Sequence, residues 1–98
     1  MNIDEFYFFS YDLIDREDRL MRLTQLQYFI RVAELGSITS ASRDLHVTQP
    51  AISTAIRSLE EELGVHLFSR SHQRMELTDA GVLFYGRVRD ALRILDDA

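Results

Sequence analysis

The 98-residue chain has no cysteine, no lysine and a single proline. Without cysteine it cannot form a disulfide framework, a thiol nucleophile or a cysteine–zinc site. Its three histidines, His46, His66 and His72, do not have HExxH spacing, and no nucleophile elbow or glycine-rich phosphate loop is present. For a chain the size of one small domain, we therefore expect no catalytic residue, no metal site and no cofactor.

Long hydrophobic runs are also missing. The stretch Phe6–Phe9 is short, follows two acidic residues and is interrupted soon afterwards by Asp12 and Asp15. A signal peptide needs a basic start and a longer apolar stretch, and a membrane helix needs about 20 apolar residues. The sequence therefore predicts a cytoplasmic protein with no membrane partner.

The net charge of −5 argues, at first sight, against binding an acidic polymer such as DNA. However, residues 1–20 hold six acids and two bases, whereas residues 21–98 hold ten acids and nine bases. Acidity is therefore mostly a property of the N-terminal segment. All the bases are arginines, whose planar fork of donors suits phosphates and guanine edges.

Apolar periodicity predicts two short helices after Leu23. Thr24 and Gln27 have the spacing of a capping box, which predicts that the first helix begins at Thr24 and ends at Gly36. A second helix carries Ile38, Ala41 and Leu45. Its candidate N-caps are Ser37, Thr39 and Ser40.

A third helix begins near Pro50, since proline is tolerated in a first helical turn. Its cap is Thr48 or Gln49, after a brief turn at His46 and Val47, and Gly64 ends it. Its predicted buried positions are Ile52, Ala55, Ile56, Leu59 and Leu63.

Beyond Gly64 the pattern changes to period 2, over Val65–Arg70 and again over Met75–Leu77. This alternation around a polar tip at residues 71–74 predicts a small hairpin. Thr78 then caps a last helix that runs to the C-terminus. The stripe along that helix contains Val82, Tyr85, Val88, Leu92 and Leu95, widened by Phe84 and Ala91.

Two short helices joined by a tight turn are typical of helix-turn-helix DNA recognition. The third helix opens in small polar residues, while Glu60, Glu61 and Glu62 lie at its far end, where we expect a solvated face. Arg57 is a candidate DNA contact, or an i,i+4 partner of Glu61. The hairpin arginines Arg70 and Arg74 are candidates for backbone or minor-groove contacts, and Arg43 is either solvated or a phosphate contact.

The residues carry a more specific signal than this pattern. The stretch LQYFIRVAELGSITSASRDLHVTQPAISTAIRSLEEELGVHLFSR, followed by LTDAG, resembles the DNA-binding domain of LysR-type bacterial transcriptional regulators. The resemblance implies a mainly α fold: a winged helix-turn-helix with three helices and a two-stranded wing, followed by a long linker helix. It also implies a homodimer joined through that helix, and an inverted-repeat operator in double-stranded DNA.

By position, the resemblance assigns residues to two roles. The linker-helix stripe Val82, Tyr85, Val88, Leu92 and Leu95 would form the dimer seam. The DNA-contacting set would be Ser37, Ser40, Thr48, Gln49, Pro50, Ser53, Thr54, Arg57, Arg70 and Arg74. The sequence departs from the family at Thr54-Ala55, where many relatives carry Arg-Gln; this removes a guanine or phosphate contact, so the resemblance does not extend to base preference.

The resemblance also divides the chain. Residues 1–20 would be an N-terminal extension, 21–78 the winged helix-turn-helix and 79–98 the linker and dimerisation helix. The effector-binding domain that normally follows is absent, so a small-molecule inducer would act only through a longer protein. The alternative function is a truncated interaction module that forms heterodimers with a full-length regulator.

Overall fold

The computed structural model describes residues 16–71 and 74–97 of the chain. In this part four helices surround one core, and a two-stranded hairpin separates the last two helices. The mainly α fold with a small wing is therefore confirmed. The elements are α1 (Arg16–Leu35), α2 (Ile38–Leu45), α3 (Gln49–Leu63), β1 (Phe68–Ser71), β2 (Arg74–Leu77) and α4 (Asp79–Asp97).

Helix α1 corrects one prediction. It begins at Arg16, so Thr24 lies inside the helix and does not cap it. Residues 16–23 include Glu, Arg, Leu and Met, which favour helix, and no glycine or proline that would interrupt one. The predicted domain boundary after residue 20 consequently falls within α1. At the other end Gly36 adopts φ +68° and donates its N–H to the Val32 carbonyl at 2.7 Å, so the predicted end is confirmed.

The predicted caps of α2 and α3 are present. Ser37 Oγ accepts the Ser40 N–H at 3.1 Å, and Thr48 Oγ1 accepts the Ala51 N–H at 3.2 Å. Between these helices His46 adopts a left-handed conformation, with φ 57°, and forms the brief turn. These local bonds fix where both helices of the helix-turn-helix begin.

The core lies where α1, α3 and α4 meet the base of the wing. Phe29 of α1 is fully buried, and its ring centroid lies 5.5 Å from that of Phe68 and 5.3 Å from that of Phe84. Predicted stripe residues of α3 line this core, with one exception. Leu63 is exposed, as are Gly64 and Val65, because the last turn of α3 projects past the core.

Ion pairs join the helices at the surface. Arg31 of α1 bonds to Asp44 of α2, with Nε 2.5 Å from Oδ2. Glu34 of α1 lies within 3.9 Å of Arg31 and 3.8 Å of Arg89, which belongs to α4. Arg31 and Arg89 therefore already form ion pairs with carboxylates of their own chain.

The wing is shorter than the period-2 pattern predicts. Its antiparallel register pairs Phe68 with Leu77 and Ser71 with Arg74, so Ser71 and Arg74 belong to strands and not to the tip. Residues 72 and 73, including His72, lie outside the described residues. Val65–Leu67 lie outside the strand; here the Leu67 N–H donates to Glu60 of α3, and the His66 carbonyl accepts the Thr78 hydroxyl.

Helix α4 begins after Thr78, as predicted. The Thr78 hydroxyl accepts the Gly81 N–H at 3.0 Å and donates to the His66 carbonyl at 2.6 Å, while the Thr78 N–H donates to the Leu67 carbonyl at 3.0 Å. Gly81 packs so closely on this carbonyl that a Cβ would lie 2.1 Å from its oxygen. In the described residues, no helix combines the length and apolar character needed to cross a membrane.

Candidate nucleic-acid interface

The start of α3 forms an exposed and uncharged surface. Gln49, Pro50, Ala51 and Thr54 are all exposed, and Ser53 is half-buried. The exposed Thr48 uses its hydroxyl oxygen to cap the helix. Because helical N-termini present unpaired amides and a positive dipole end, this surface favours a negatively charged partner.

The start of α2 contributes a second polar surface. Ser40 is exposed, whereas Ser37 is half-buried and its oxygen is engaged by the Ser40 amide. Ser37 therefore positions α2, and its oxygen is already occupied by the amide it caps.

The structure divides the arginines of the described residues into two groups. Arg31 and Arg89 pair with carboxylates, as described above. Arg43, Arg57 and Arg74 are exposed and take part in no ion pair among the described residues, and the same is true of Arg87 and Arg93 on α4. The pairing of Arg57 with Glu61 that the sequence left open is therefore not formed. The side chain of Arg70 lies outside what is described.

Arg74 lies beside the helix-turn-helix. A Cβ built on Gly36 would be 3.7 Å from Arg74 Nη2, and the Met75 N–H donates to the Gly36 carbonyl at 3.2 Å. The start of β2, next to the tip of the wing, therefore rests on the α1–α2 turn. Arg74 of the wing therefore lies on the same side of the molecule as the α1–α2 turn.

Glu60 corrects the prediction of a solvated acidic face. Its side chain is only 15% exposed, and Oε2 accepts the Leu67 N–H at 2.7 Å and the Phe68 N–H at 3.4 Å. His66 Nδ1 lies 3.8 Å from the same oxygen. Only Glu61 and Glu62 are exposed as predicted. Sequence reasoning missed this anchor because the contact joins residues seven and eight positions apart across a turn.

A groove of about 600 Å³ runs between α1 and the start of α3, a feature that the sequence did not predict. Periodicity along one helix gives no sign of it, because it requires two helices side by side. At its edge Gln25 is buried, and its Oε1 has no hydrogen-bond partner in the described part of the chain. The lining residues are Thr24, Gln25, Tyr28, Thr48, Pro50, Ala51, Thr54, Ala55 and Ser58.

The predicted dimer stripe on α4 is divided between core and surface. Val88 is 4% exposed, and Tyr85 and Leu92 pack against the core of the same chain. Val82 and Leu95 are each 59% exposed. Three- and four-residue spacing identified the face of α4 that packs on its own domain, and Val88 on that face has little surface left for a partner. Two apolar residues outside the stripe, Leu83 and Ile94, are more exposed, at 62% and 69%.

Among residues 16–71 and 74–97, no group of three or more His, Cys, Asp or Glu side chains could hold a metal ion. His46 and His66 are exposed.

A model of the family of bacterial regulatory helix-turn-helix proteins, lysR family, matches residues 23–82. This range includes the two capped helices, the wing and the start of α4. The chain belongs to the lysR family.

Named relatives agree with this family. Over 75 residues the chain is 51% identical to the HTH-type transcriptional regulator ClcR of Pseudomonas putida, a match covering 76% of this chain and 24% of ClcR. It is also 49% identical over 76 residues to TcbR of Pseudomonas sp. (strain P51), covering 78% and 25% of the two chains. The chain thus spans about a quarter of the length of these curated relatives.

Solved structures share the fold. The chain matches the crystal structure of a CbnR_DBD–DNA complex with a TM-score of 0.72 and 44% identity, covering 76% of this chain and 85% of that one. A BenM_DBD/benA site 1 DNA complex matches with a TM-score of 0.74 and 37% identity, covering 76% and 87%.

Proposed function

We propose that the chain is the DNA-binding part of a cytoplasmic, non-enzymatic transcriptional regulator that recognises double-stranded DNA as a homodimer. The first turns of α3 enter the major groove, and the wing lies against the adjacent backbone. One observation carries the proposal: the uncharged, exposed start of α3 is accompanied by the unpaired arginines Arg43, Arg57 and Arg74. Likeness to two structures that contain DNA supports it.

The electrostatics favour this orientation. The dipole of α3 places its positive end at Thr48, and the exposed Glu61 and Glu62 lie more than three turns away along the helix. Arg31 and Arg89 are neutralised by nearby carboxylates, so phosphate binding depends on the unpaired arginines. A chain with a net charge of −5 can therefore present a locally basic surface to DNA.

Dimerisation depends on the outer surface of α4. Leu83, Ile94 and Leu95 are each about three-fifths exposed or more, and none of them belongs to the core. Pairing of two α4 helices would bury these residues, and two-fold symmetry would then match an inverted-repeat operator. The half-sites would lie about one helical turn apart, or a multiple of one turn.

Fluorescence anisotropy tests DNA binding. The full chain is titrated onto duplexes selected from a randomised pool, at two salt concentrations. We expect affinity to fall as salt rises, because phosphate contacts release counterions. Removal of two phosphate contacts per protomer, in Arg57→Ala/Arg74→Ala, would reduce the slope of log K against log[salt] by about 1.8 per protomer. Arg87→Ala/Arg93→Ala on α4 is the matched control, with the same loss of charge.

Equal affinities and slopes for the two double variants would contradict the proposed orientation. The exposed apolar residues of α4 also support the alternative, an interaction module that pairs with a longer regulator. A folded dimer that binds no selected duplex at low salt would favour that alternative. Salt-dependent binding lost selectively with Arg57 and Arg74 would favour DNA recognition.

A further inference from the structure

The N-terminal segment, residues 1–15, has a composition that DNA binding leaves unexplained. It holds four acidic residues and no basic one, and five of the ten Phe and Tyr residues of the chain lie in it. Acidic residues alone would repel DNA, but the aromatic residues would have no part in that. Aromatic side chains are enriched where a protein surface binds a partner. An aromatic and acidic segment of this kind fits a surface that is apolar and adjoins positive charge.

The groove between α1 and α3 has that character. Its walls include Tyr28, Pro50 and Ala51, and none of its lining residues in the described part of the chain is charged. The positive end of the α3 dipole lies at Thr48, which also lines the groove. The apolar walls therefore match the aromatic residues 6–9, and the positive end of the helix matches the acidic residues on either side of them.

A buried acceptor in the α1 wall of the groove lacks a partner. Gln25 is 5% exposed, and its Oε1 accepts no hydrogen bond in the described part of the chain. Burial of an acceptor without a donor costs free energy, so an occupant with hydrogen-bond donors is favoured over a purely apolar one. Residues 1–15 carry such donors in their backbone amides and in the hydroxyls of Tyr7 and Tyr11.

The segment is long enough to reach the groove. It joins α1 at Arg16, and the α1 wall extends from Thr24 to Tyr28, eight to twelve residues later. That separation is about 12–18 Å along a helix, whereas the chain from Phe8 to Arg16 can span about 26 Å when extended. We propose that residues 1–15 turn back along α1, occupy this groove and cover the start of α3, so that they compete with DNA. This autoinhibition rests on the proposed DNA binding.

Tryptophan fluorescence tests the docking without DNA. The chain has no tryptophan, so Phe8→Trp provides a single reporter in the segment. We expect its emission to lie at shorter wavelength in the full chain than in a peptide of residues 1–15 with the same substitution. Ala51→Glu places a carboxylate at the groove and should move the emission back toward that of the peptide. Ala91→Glu, the same change at an exposed position of α4, is the matched control and should leave the emission unchanged.

DNA affinity separates docking from simple charge repulsion. A short tether gives an effective concentration on the order of 1 mM, so a segment with a Kd of about 0.1 mM would occupy the groove in about nine-tenths of the chains. Loss of docking should then raise DNA affinity about tenfold. Phe6→Ser/Phe8→Ser/Phe9→Ser should give this gain, and repulsion cannot explain it because the net charge stays at −5.

Each failure has its own signature. Emission of Phe8→Trp equal to that of the peptide, or a shift that Ala51→Glu leaves unchanged, would overturn docking in this groove. A shift lost on dilution, with the helical circular dichroism kept, would assign the groove to the segment of a second copy and overturn the intramolecular contact. Unchanged DNA affinity in the triple serine variant would overturn the autoinhibition. Normal emission shifts without salt-dependent binding to any duplex would overturn the proposed DNA binding and leave the docking in place.

Discussion

Substitution of Gly81 tests how closely the start of α4 packs against the chain that leads into the wing. A Cβ at this position would lie 2.1 Å from the Leu67 carbonyl oxygen, 3.0 Å from the Leu67 carbonyl carbon and 3.0 Å from Leu77 Cδ2. Two of these atoms are backbone, so rotation of a side chain cannot relieve the contact. Substitution Gly81→Ala must therefore move the start of α4 away from Leu67, the residue that precedes β1.

The expected magnitude follows from three terms. Overpacking costs about 1–3 kcal/mol, and loss of the Thr78 N–H to Leu67 carbonyl bond costs about 1 kcal/mol. Replacement of glycine by alanine in a helix returns up to about 1 kcal/mol. The net expectation is that Gly81→Ala lowers the free energy of unfolding by about 1–3 kcal/mol.

Urea denaturation followed by circular dichroism measures this change. Gly86→Ala is the matched control, because Gly86 lies on the same helix, is exposed and would have no atom within 4 Å of an added Cβ. It should raise stability by about 0.5–1 kcal/mol. If Gly81→Ala were as stable as Gly86→Ala, the close packing of α4 on Leu67 would be refuted.

Two further predictions concern the acidic anchor and the outer face of α4. Glu60→Ala should destabilise the fold by about 1–3 kcal/mol, because it leaves two amides without their acceptor, whereas Glu61→Ala should change stability by under about 0.5 kcal/mol in the same urea assay. Leu83→Asp/Ile94→Asp should leave the helical circular dichroism intact and give a monomer in sedimentation velocity, while Val88→Asp should unfold the chain. If the Leu83→Asp/Ile94→Asp variant were still a dimer at micromolar concentration, the proposed role of the outer face of α4 in dimerisation would be contradicted. Equal losses of stability in Glu60→Ala and Glu61→Ala would contradict the anchoring role of Glu60.

Helix ends were the features that the sequence predicted best. Thr48, Gly36 and Gly64 act through bonds to residues three or four positions away, so their effect is visible in a short stretch of chain. Thr24 has the same kind of signature, yet α1 continues through it. A capping motif permits a helix to begin but does not stop one that has already formed.

Features that depend on distant residues were harder to predict. The spacing of Val88 showed an apolar face correctly but gave no information about whether the face packs on its own chain or on a partner. Glu60 was indistinguishable from its acidic neighbours, because its role depends on how the chain turns after Gly64. The same limitation applies to Arg57, whose lack of an ion partner among the described residues becomes visible only in three dimensions.

The anchoring of the wing has a consequence for the shape of the DNA. The wing is bonded near its tip to the Gly36 carbonyl, through the Met75 N–H, and at its base to the Glu60 carboxylate and the segment around Thr78. With three attachments, the wing cannot swing independently of α3, so the offset between its strands and the recognition helix is set by the protein. In the proposed DNA complex, the duplex would have to adopt the groove width and curvature that bring both contacts into register. Sequences that bend easily would bind more tightly, even at base pairs that no side chain touches.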